Sequence, residues 1–587
     1  MTALSDNLEV MQWLLDQGNA LTREMNAFGA TDLLVAAKAG RLTTVQWLLR
    51  NGASIGETNR IGSTALLEAT RGVACNLAMI QWLLHEGGSL ITEMDADGNT
   101  ALIIAASHGH LMEVQWLLGQ GGASVTEVNA WGETALLVAA ATGELETVRW
   151  LLTEGGADIA ATDDDGDTAL LLAIQGGHLR TVQWLLEKGG ALSTGVNIHG
   201  ESPLLVAAAA GEQDMVQWLL VEGWASIAEM DIHGNTALLV GARNNHLGMI
   251  QWLLGEGGAF VTEVNGIGET ALLAAVYAGN LNMVQWLLAS GGSSIAEMDD
   301  DGDTALLTAA YAGNLKMVQW LLGEGGAFIT EVNAIGATAL LVAAAEGKLE
   351  TVQWLHQEAG ASVTEADEDG DTALLTAAGN GHLVMVQWLL GPGGSSIAES
   401  CSDGSTALLV ASLVPNNVEM VQWLIRHGGA KMSETTIIGI TALTRALVAR
   451  HLVVVDWMLV NWPDLVSQVT VHLYQMLEKP AQNLLLMHTA YTDPGSLAPD
   501  MIQGQVSQDR TVLRALRWMK GICTSVNGRL GMYLARDLVG LVLGYTCSRL
   551  EALQVVEDME SGPADTMDSL IRDLALLPLD PHPLWPL

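Results

Sequence analysis

The 587-residue chain is short of cysteine, proline, phenylalanine, tyrosine and positive charge, and most of these shortages exclude a class of protein. Its four cysteines (Cys75, Cys401, Cys523, Cys547) lie far apart, without the spacing of a zinc site or a disulfide framework, so a reducing compartment is expected. Lys and Arg number 25 against 66 Asp and Glu, a formal net charge of −41. So acidic a surface repels phosphate and anionic lipid, which excludes nucleic acid and membrane surfaces as partners. A basic or apolar-basic protein segment is the expected partner; solubility is the other use of such charge. No stretch reaches the ~18 uninterrupted apolar residues of a membrane span. The first ten residues, Met-Thr-Ala-Leu-Ser-Asp-Asn-Leu-Glu-Val, lack a basic start and a long apolar core, so no secretory signal is expected. A cytoplasmic monomer is expected, with the nucleus also compatible.

Apolar residues are nevertheless 49% of the chain, chiefly Ala, Leu and Val, and Trp is abundant at 19. Fourteen of these tryptophans sit in a Val/Ile-Gln-Trp-Leu-Leu-like block, at 13, 47, 82, 116, 150, 184, 218, 252, 286, 320, 354, 388, 423 and 457. Their spacing is 34 residues with two exceptions of 35, which means one short unit repeated in tandem. Residues 1–462 hold 16 Lys and Arg against 52 Asp and Glu, the remainder 9 against 14, so the acidity belongs to the array.

The stretch 268–298 shows the unit. Thr270 suits a helix N-cap, Ala271 to Ala278 forms a short helix of small residues, and Gly279 stops it. A second helix from Leu281 to about Leu288 places Val284, Leu287 and Leu288 on one face, with Met283 and Trp286 adjacent. Gly291-Gly292 ends it, and Ser294 to Asp299 runs extended toward a turn at Gly302. Neither helix is long enough to stand alone, so the units must stack. The tryptophans are expected to wedge between successive second helices. Register breaks at Gly72–Asn76 and Ser412–Asn417 predict irregular turns. Turns also alternate between an Asp type (Asp95, Asp163, Asp231, Asp299, Asp367) and an Asn type (Asn129, Asn197, Asn265, Asn333), as duplication of a 68-residue pair would leave them. Residue 1 enters just before a second helix, consistent with a minimal cap or a truncation.

The layout resembles the ankyrin repeat. The residues that carry the likeness are Asp-Gly-Asn-Thr-Ala-Leu (97–102), Ala105-Ala106, Gly109-His110-Leu111, Val114, Leu117-Leu118 and Gly121-Gly122-Ala123. The match recurs over about 1–460, some 13 repeats with the first partial, and implies an all-α solenoid of helix-turn-helix-hairpin units. Two features depart from the family. Its Pro is Ala in most copies (Pro203 survives) and its His is Leu, and the periodic Trp stands at a usually aliphatic position, so the family's inter-repeat His hydrogen bonds are expected to be replaced by apolar packing.

After Trp462-Pro463 the period ends, and 463–587 is expected to be a separate helical region. Arg510, Arg514 and Arg517 share one face of a predicted helix, either as a solvated stripe or docked on an acidic surface. Residues 534–545 are faintly similar to the core of the F-box-like tails that follow some ankyrin arrays, with Ala535 at the family's Pro; an ordinary capping helix has the same pattern.

No chemistry of catalysis is legible. Asp163-Asp164-Asp165-Gly166-Asp167 and its relatives look like calcium loops, but from Asp163 the glycine comes fourth and Ile174 twelfth, where an EF-hand needs Gly sixth and Glu twelfth. His110, His178, His246, His382 and His451 share a repeat position with Asn, Lys and Glu, so they are not expected to be ligands. No nucleophile-base pair or phosphate loop appears. The chain is expected to be a non-enzymatic scaffold with no metal or cofactor. Its candidate binding residues are those that vary between repeats: Trp131, His199, His233 and Ile267 just before the turn glycine, and Arg243, Tyr277 and Tyr311 near the end of the first helix. Resemblance to the family places these on a concave partner-binding groove, and Trp, Tyr and Arg are common interface anchors. Duplication of the Tyr-Ala-Gly-Asn-Leu segment also accounts for the two tyrosines.

Overall fold

The computed structural model describes residues 25–72, 76–415, 417–462 and 465. Thirteen helix pairs recur through them, from Asp32–Lys38 with Leu42–Arg50 to Ala442–Val448 with Leu452–Asn461. They divide into two units, residues 1–343 with 350–361, and 344–349 with 362–587. Among the described residues there is no strand. The link between pairs is a tight hairpin held by single antiparallel bridges such as Met94 to Thr100 and Val264 to Thr270.

Each first helix is about two turns of Ala and Leu, buried almost throughout, as in Ala271–Tyr277. Such a helix is too short to persist in water and is held by its neighbours. Thr270 caps it, its hydroxyl accepting from Leu273 N–H. The second helix buries its Val and Leu face, Val284 and Leu287 being fully enclosed. In six repeats it ends in a wide turn, for example Leu117–Gly121, before a left-handed glycine, Gly122 at φ 83°.

Most of the periodic tryptophans are half-buried. Where a Gly-Gly pair ends the second helix, the ring folds back over the end of its own helix. A methyl group on Gly121 would come within 2.9 Å of Trp116 Cζ3, and Gly291 stands likewise to Trp286. The first glycine of each pair therefore makes room for the ring, while the second supplies the backbone turn. The preceding repeat also reaches the ring, as where Arg149 lies over the face of Trp184.

Apolar packing does not replace the family's hydrogen bonds, because other residues restore them. The N-cap hydroxyl of one repeat donates to a glutamate of the next: Thr100 to Glu127 at 2.7 Å, Thr236 to Glu263 at 2.6 Å, Thr270 to Glu297 at 2.7 Å, Thr372 to Glu399 at 2.6 Å. The other carboxylate oxygen of the same glutamate accepts a backbone N–H of its own loop, as Glu297 does from Ser294. The interchangeable His position does similar work. His178, His246 and His382 each donate Nε2–H to a carbonyl ending the preceding first helix (Ala141, Ala209, Ala345), and Asn280 does so to Ala242. Open C-terminal carbonyls are thereby satisfied across the stack.

The alternation of Asp and Asn turns has a physical cause beyond duplication. Either side chain accepts the turn's backbone N–H groups, as Asp163 and Asn197 both do. Only Asn can also donate. Asn129, Asn197, Asn265 and Asn333 each give Nδ2–H to the residue 30 positions back (Asn99, Asp167, Asn235, Asp303), at 2.9–3.1 Å. Repeats are thus tied in pairs.

Candidate functional site

The predicted residues lie in two rows. Backbone bonds connect the hairpin tips one to the next: Asp164 N–H donates to Trp131 O at 3.0 Å, Ile232 N–H to His199 O at 3.2 Å, Gly266 N–H to His233 O at 2.8 Å and Asp300 N–H to Ile267 O at 3.0 Å. With their main chain committed, the tips present side chains, and Trp131, His199, His233 and Ile267 are all exposed. Trp131 stands four tips before Ile267, so the seven residues form rows along the repeats rather than one cluster.

The second row stands at the first-helix ends. Tyr277 and Tyr311, 49% and 43% exposed, pair their rings at 6.2 Å and 34°. Arg243, one repeat earlier, is already engaged: its guanidinium reaches Glu269 Oε2 at 2.5 Å, two residues beyond the Ile267 tip. That ion pair links the rows. Similar arginines bind hairpin carboxylates elsewhere, Arg71 on Asp95 and, in the other unit, Arg445 on Asp403.

Sequence reading missed an apolar set on the hairpin limbs, Leu192, Phe260 and Phe328, each at least 72% exposed and two repeats apart. Their 68-residue spacing was the available signal. Arg510, Arg514, Arg517 and the segment 534–545 lie outside the described residues.

The acidity is mostly unneutralised. The ladder glutamates and turn aspartates take hydrogen bonds from neutral hydroxyl and amide groups, which leave their charge in place. Burial, reinforced by neighbouring carboxylates, raises Asp167, Asp303 and Asp371 above the usual aspartate range, against the hydrogen bonds from Asn197 and Asn333 at the first two. Asp403 goes the other way, to about 2, because Ser405 and Cys401 donate to it and Arg445 adds a positive charge. Among the described residues no group of three His, Cys, Asp or Glu could hold a metal ion, and no helix is long and apolar enough to cross a membrane.

Stacked helix pairs with linked, exposed hairpins define a tandem-repeat solenoid. A family profile described as ankyrin repeats (three copies) matches in overlapping windows at 1–95, 33–129, 73–163, 102–198, 155–231, 191–265, 242–334, 324–397 and 340–436. The chain belongs to the ankyrin-repeat family. Such arrays are typically protein-interaction scaffolds without enzymatic activity.

Proposed function

We propose that this protein is a non-enzymatic scaffold that binds a basic or apolar-basic segment of a partner protein on an acidic concave face built from the hairpin tips and first-helix ends. The observation that carries the reading is the division of labour along the repeat. Most positions that recur are buried or hydrogen-bonded to the neighbouring repeat, whereas Trp131, His199, His233, Ile267, Tyr277 and Tyr311 vary and stand exposed. Arg243 helps shape the face through Glu269. On this reading the protein acts as a cytoplasmic or nuclear monomer, without metal or cofactor, with 1–462 as the array and 463–587 as a helical C-terminal region.

The test is affinity capture with quantitative mass spectrometry, comparing the full chain with its Tyr277→Ala/Tyr311→Ala variant. A protein held by the former and lost from the latter, at unchanged melting temperature, supports the reading; an identical set of captured proteins counts against it. The alternative is a ubiquitin-ligase substrate receptor, favoured by Leu534 to Tyr545 with its F-box-like spacing. It requires that a ligase adaptor be captured and that Leu538→Glu/Leu541→Glu abolish the capture.

A further inference from the structure

Three successive exposed hairpins of the first unit differ in chemistry. In two of the Asn-type hairpins limb and tip are both apolar: Phe260 and Ile267 in one repeat, Phe328 and Ile335 two repeats on, all well exposed. The hairpin between them carries Asp299, Asp300, Asp301 and Asp303. The three tips are hydrogen-bonded in a row, Asp300 N–H to Ile267 O at 3.0 Å and Ala334 N–H to Asp301 O at 2.9 Å. Along this line the surface is apolar, then acidic, then apolar.

The central carboxylates have neutral hydrogen-bond donors. Asp299 Oδ1 accepts from the backbone of Asp301 and Asp303, and Asp303 accepts from Asn333 Nδ2 at 2.9 Å. None of the ion pairs formed by the described residues involves these four aspartates. One repeat earlier the protein shows how a cation is held on this face, with Arg243 on Glu269. Thirty-four residues on, the same two places hold Tyr277 and Asp303, an aromatic ring and a carboxylate with no arginine of the chain's own.

We propose that this stretch is a socket for one arginine or lysine of the partner, held between the Asp299–Asp303 hairpin and the exposed Tyr277 ring, with apolar residues flanking it in the partner seated on Ile267 and Ile335. The proposal rests on the reading that these rows bind a partner, and it adds the order of chemistry the partner must present. A guanidinium gains from both neighbours, by charge-assisted bonds to carboxylate and by stacking on the ring. A partner out of register would set a charge against isoleucine or an apolar group against aspartate, which charge complementarity disfavours.

The test uses the full chain and synthetic peptides of equal length and composition, one with a single central Arg between apolar flanks, one with that Arg moved to an end, read by fluorescence anisotropy. The patterned peptide should bind about ten-fold tighter than the rearranged one, with affinity falling as salt rises. Asp300→Asn/Asp301→Asn should weaken it about ten-fold and flatten the salt dependence, whereas Ile267→Ser/Ile335→Ser should weaken it with that dependence kept. Tyr277→Arg, which supplies the chain's own cation, should also weaken it. Equal binding of both peptides overturns the socket, as does indifference to both pairs of substitutions. If Tyr277→Ala/Tyr311→Ala abolishes binding while the aspartate and isoleucine variants do not, the binding face stands and the socket falls. If no substitution changes binding, both fall.

Discussion

At the hairpin turns one hydrogen-bond donor decides what a residue can do. Asn197 gives Nδ2–H to Asp167 Oδ1 at 3.0 Å and to Glu201 Oε2 at 2.9 Å while its own oxygen accepts the turn's N–H groups. Asn197→Asp removes the donor and places a third carboxylate against two others at a nearly buried position, so it should cost about 2–3 kcal/mol in a denaturant titration. The opposite exchange should stabilise. Asp303 is held above the ordinary aspartate range, chiefly by burial and then by Asp299 and Asp301. A raised folded-state pKa favours the protonated form, so stability is highest below the ordinary pKa and declines as pH rises through the interval up to the raised one. Asp303→Asn keeps the acceptor for Asn333, as Asn235 already does for Asn265. It should raise stability at pH 7 by about half a kcal/mol for a partly exposed like-charge contact, read as a higher melting temperature. The gain should fade as pH drops and vanish near pH ~3, about one unit below the ordinary pKa, where aspartate is protonated in both states. An equal gain at all pH values would contradict this assignment.

At the scale of the element, the period, the helix pairs, the threonine caps and the turn glycines were legible because each leaves a local mark: a spacing, a small-residue run, a residue suited to one backbone geometry. The bonds that tie repeats together were not. Thr270 and Glu297 are 27 residues apart and meet only once the repeats stack, so the glutamate column passes in the sequence for surface charge. The tryptophan's contact with its own helix end went unread for a related reason. Nothing in Trp116 shows that its ring turns back onto Gly121, although the constant five-residue interval could have hinted at it. The ladder also has gaps. Thr134 and Thr168 cap their helices, but the places where their glutamates would stand hold Ala161 and Gly195. Gly195 lies outside the left-handed region, and an added Cβ would approach only Leu192 O, at 3.4 Å. Gly195→Glu should therefore complete the rung and stabilise by about 1 kcal/mol. Thr168→Val in the same background should remove the hydrogen-bond part of that gain, a coupling that a double-mutant cycle in calorimetry would read. Additive effects would show that no rung forms. Gly121→Ala, by contrast, forces the Trp116 ring to move and should cost about 1–3 kcal/mol by the same measurement.

At the scale of the molecule, the proposed function assigns stability and recognition to different positions of one repeat. Recurring threonine, glutamate, histidine and asparagine hold neighbouring repeats together without cancelling the negative charge, which is the field that the proposed basic partner would meet. Of the binding face, the sequence disclosed the variable positions because variation within a repeat is visible without any structure. It did not disclose that Arg243 is bound to Glu269, nor that an acidic hairpin stands between two apolar ones in space, since both depend on how one repeat's helix end meets the next repeat's hairpin. The account's central claim, that the residues which do not repeat bind while those which do repeat hold the fold, is tested most directly by measuring partner affinity and melting temperature on the same two variants. Tyr277→Ala/Tyr311→Ala should weaken partner binding at least about ten-fold and leave the melting temperature within about 2 °C, while Thr270→Val should lower the melting temperature and leave affinity unchanged. A collapse in stability for the tyrosine pair, with affinity of the remaining folded protein intact, would contradict it.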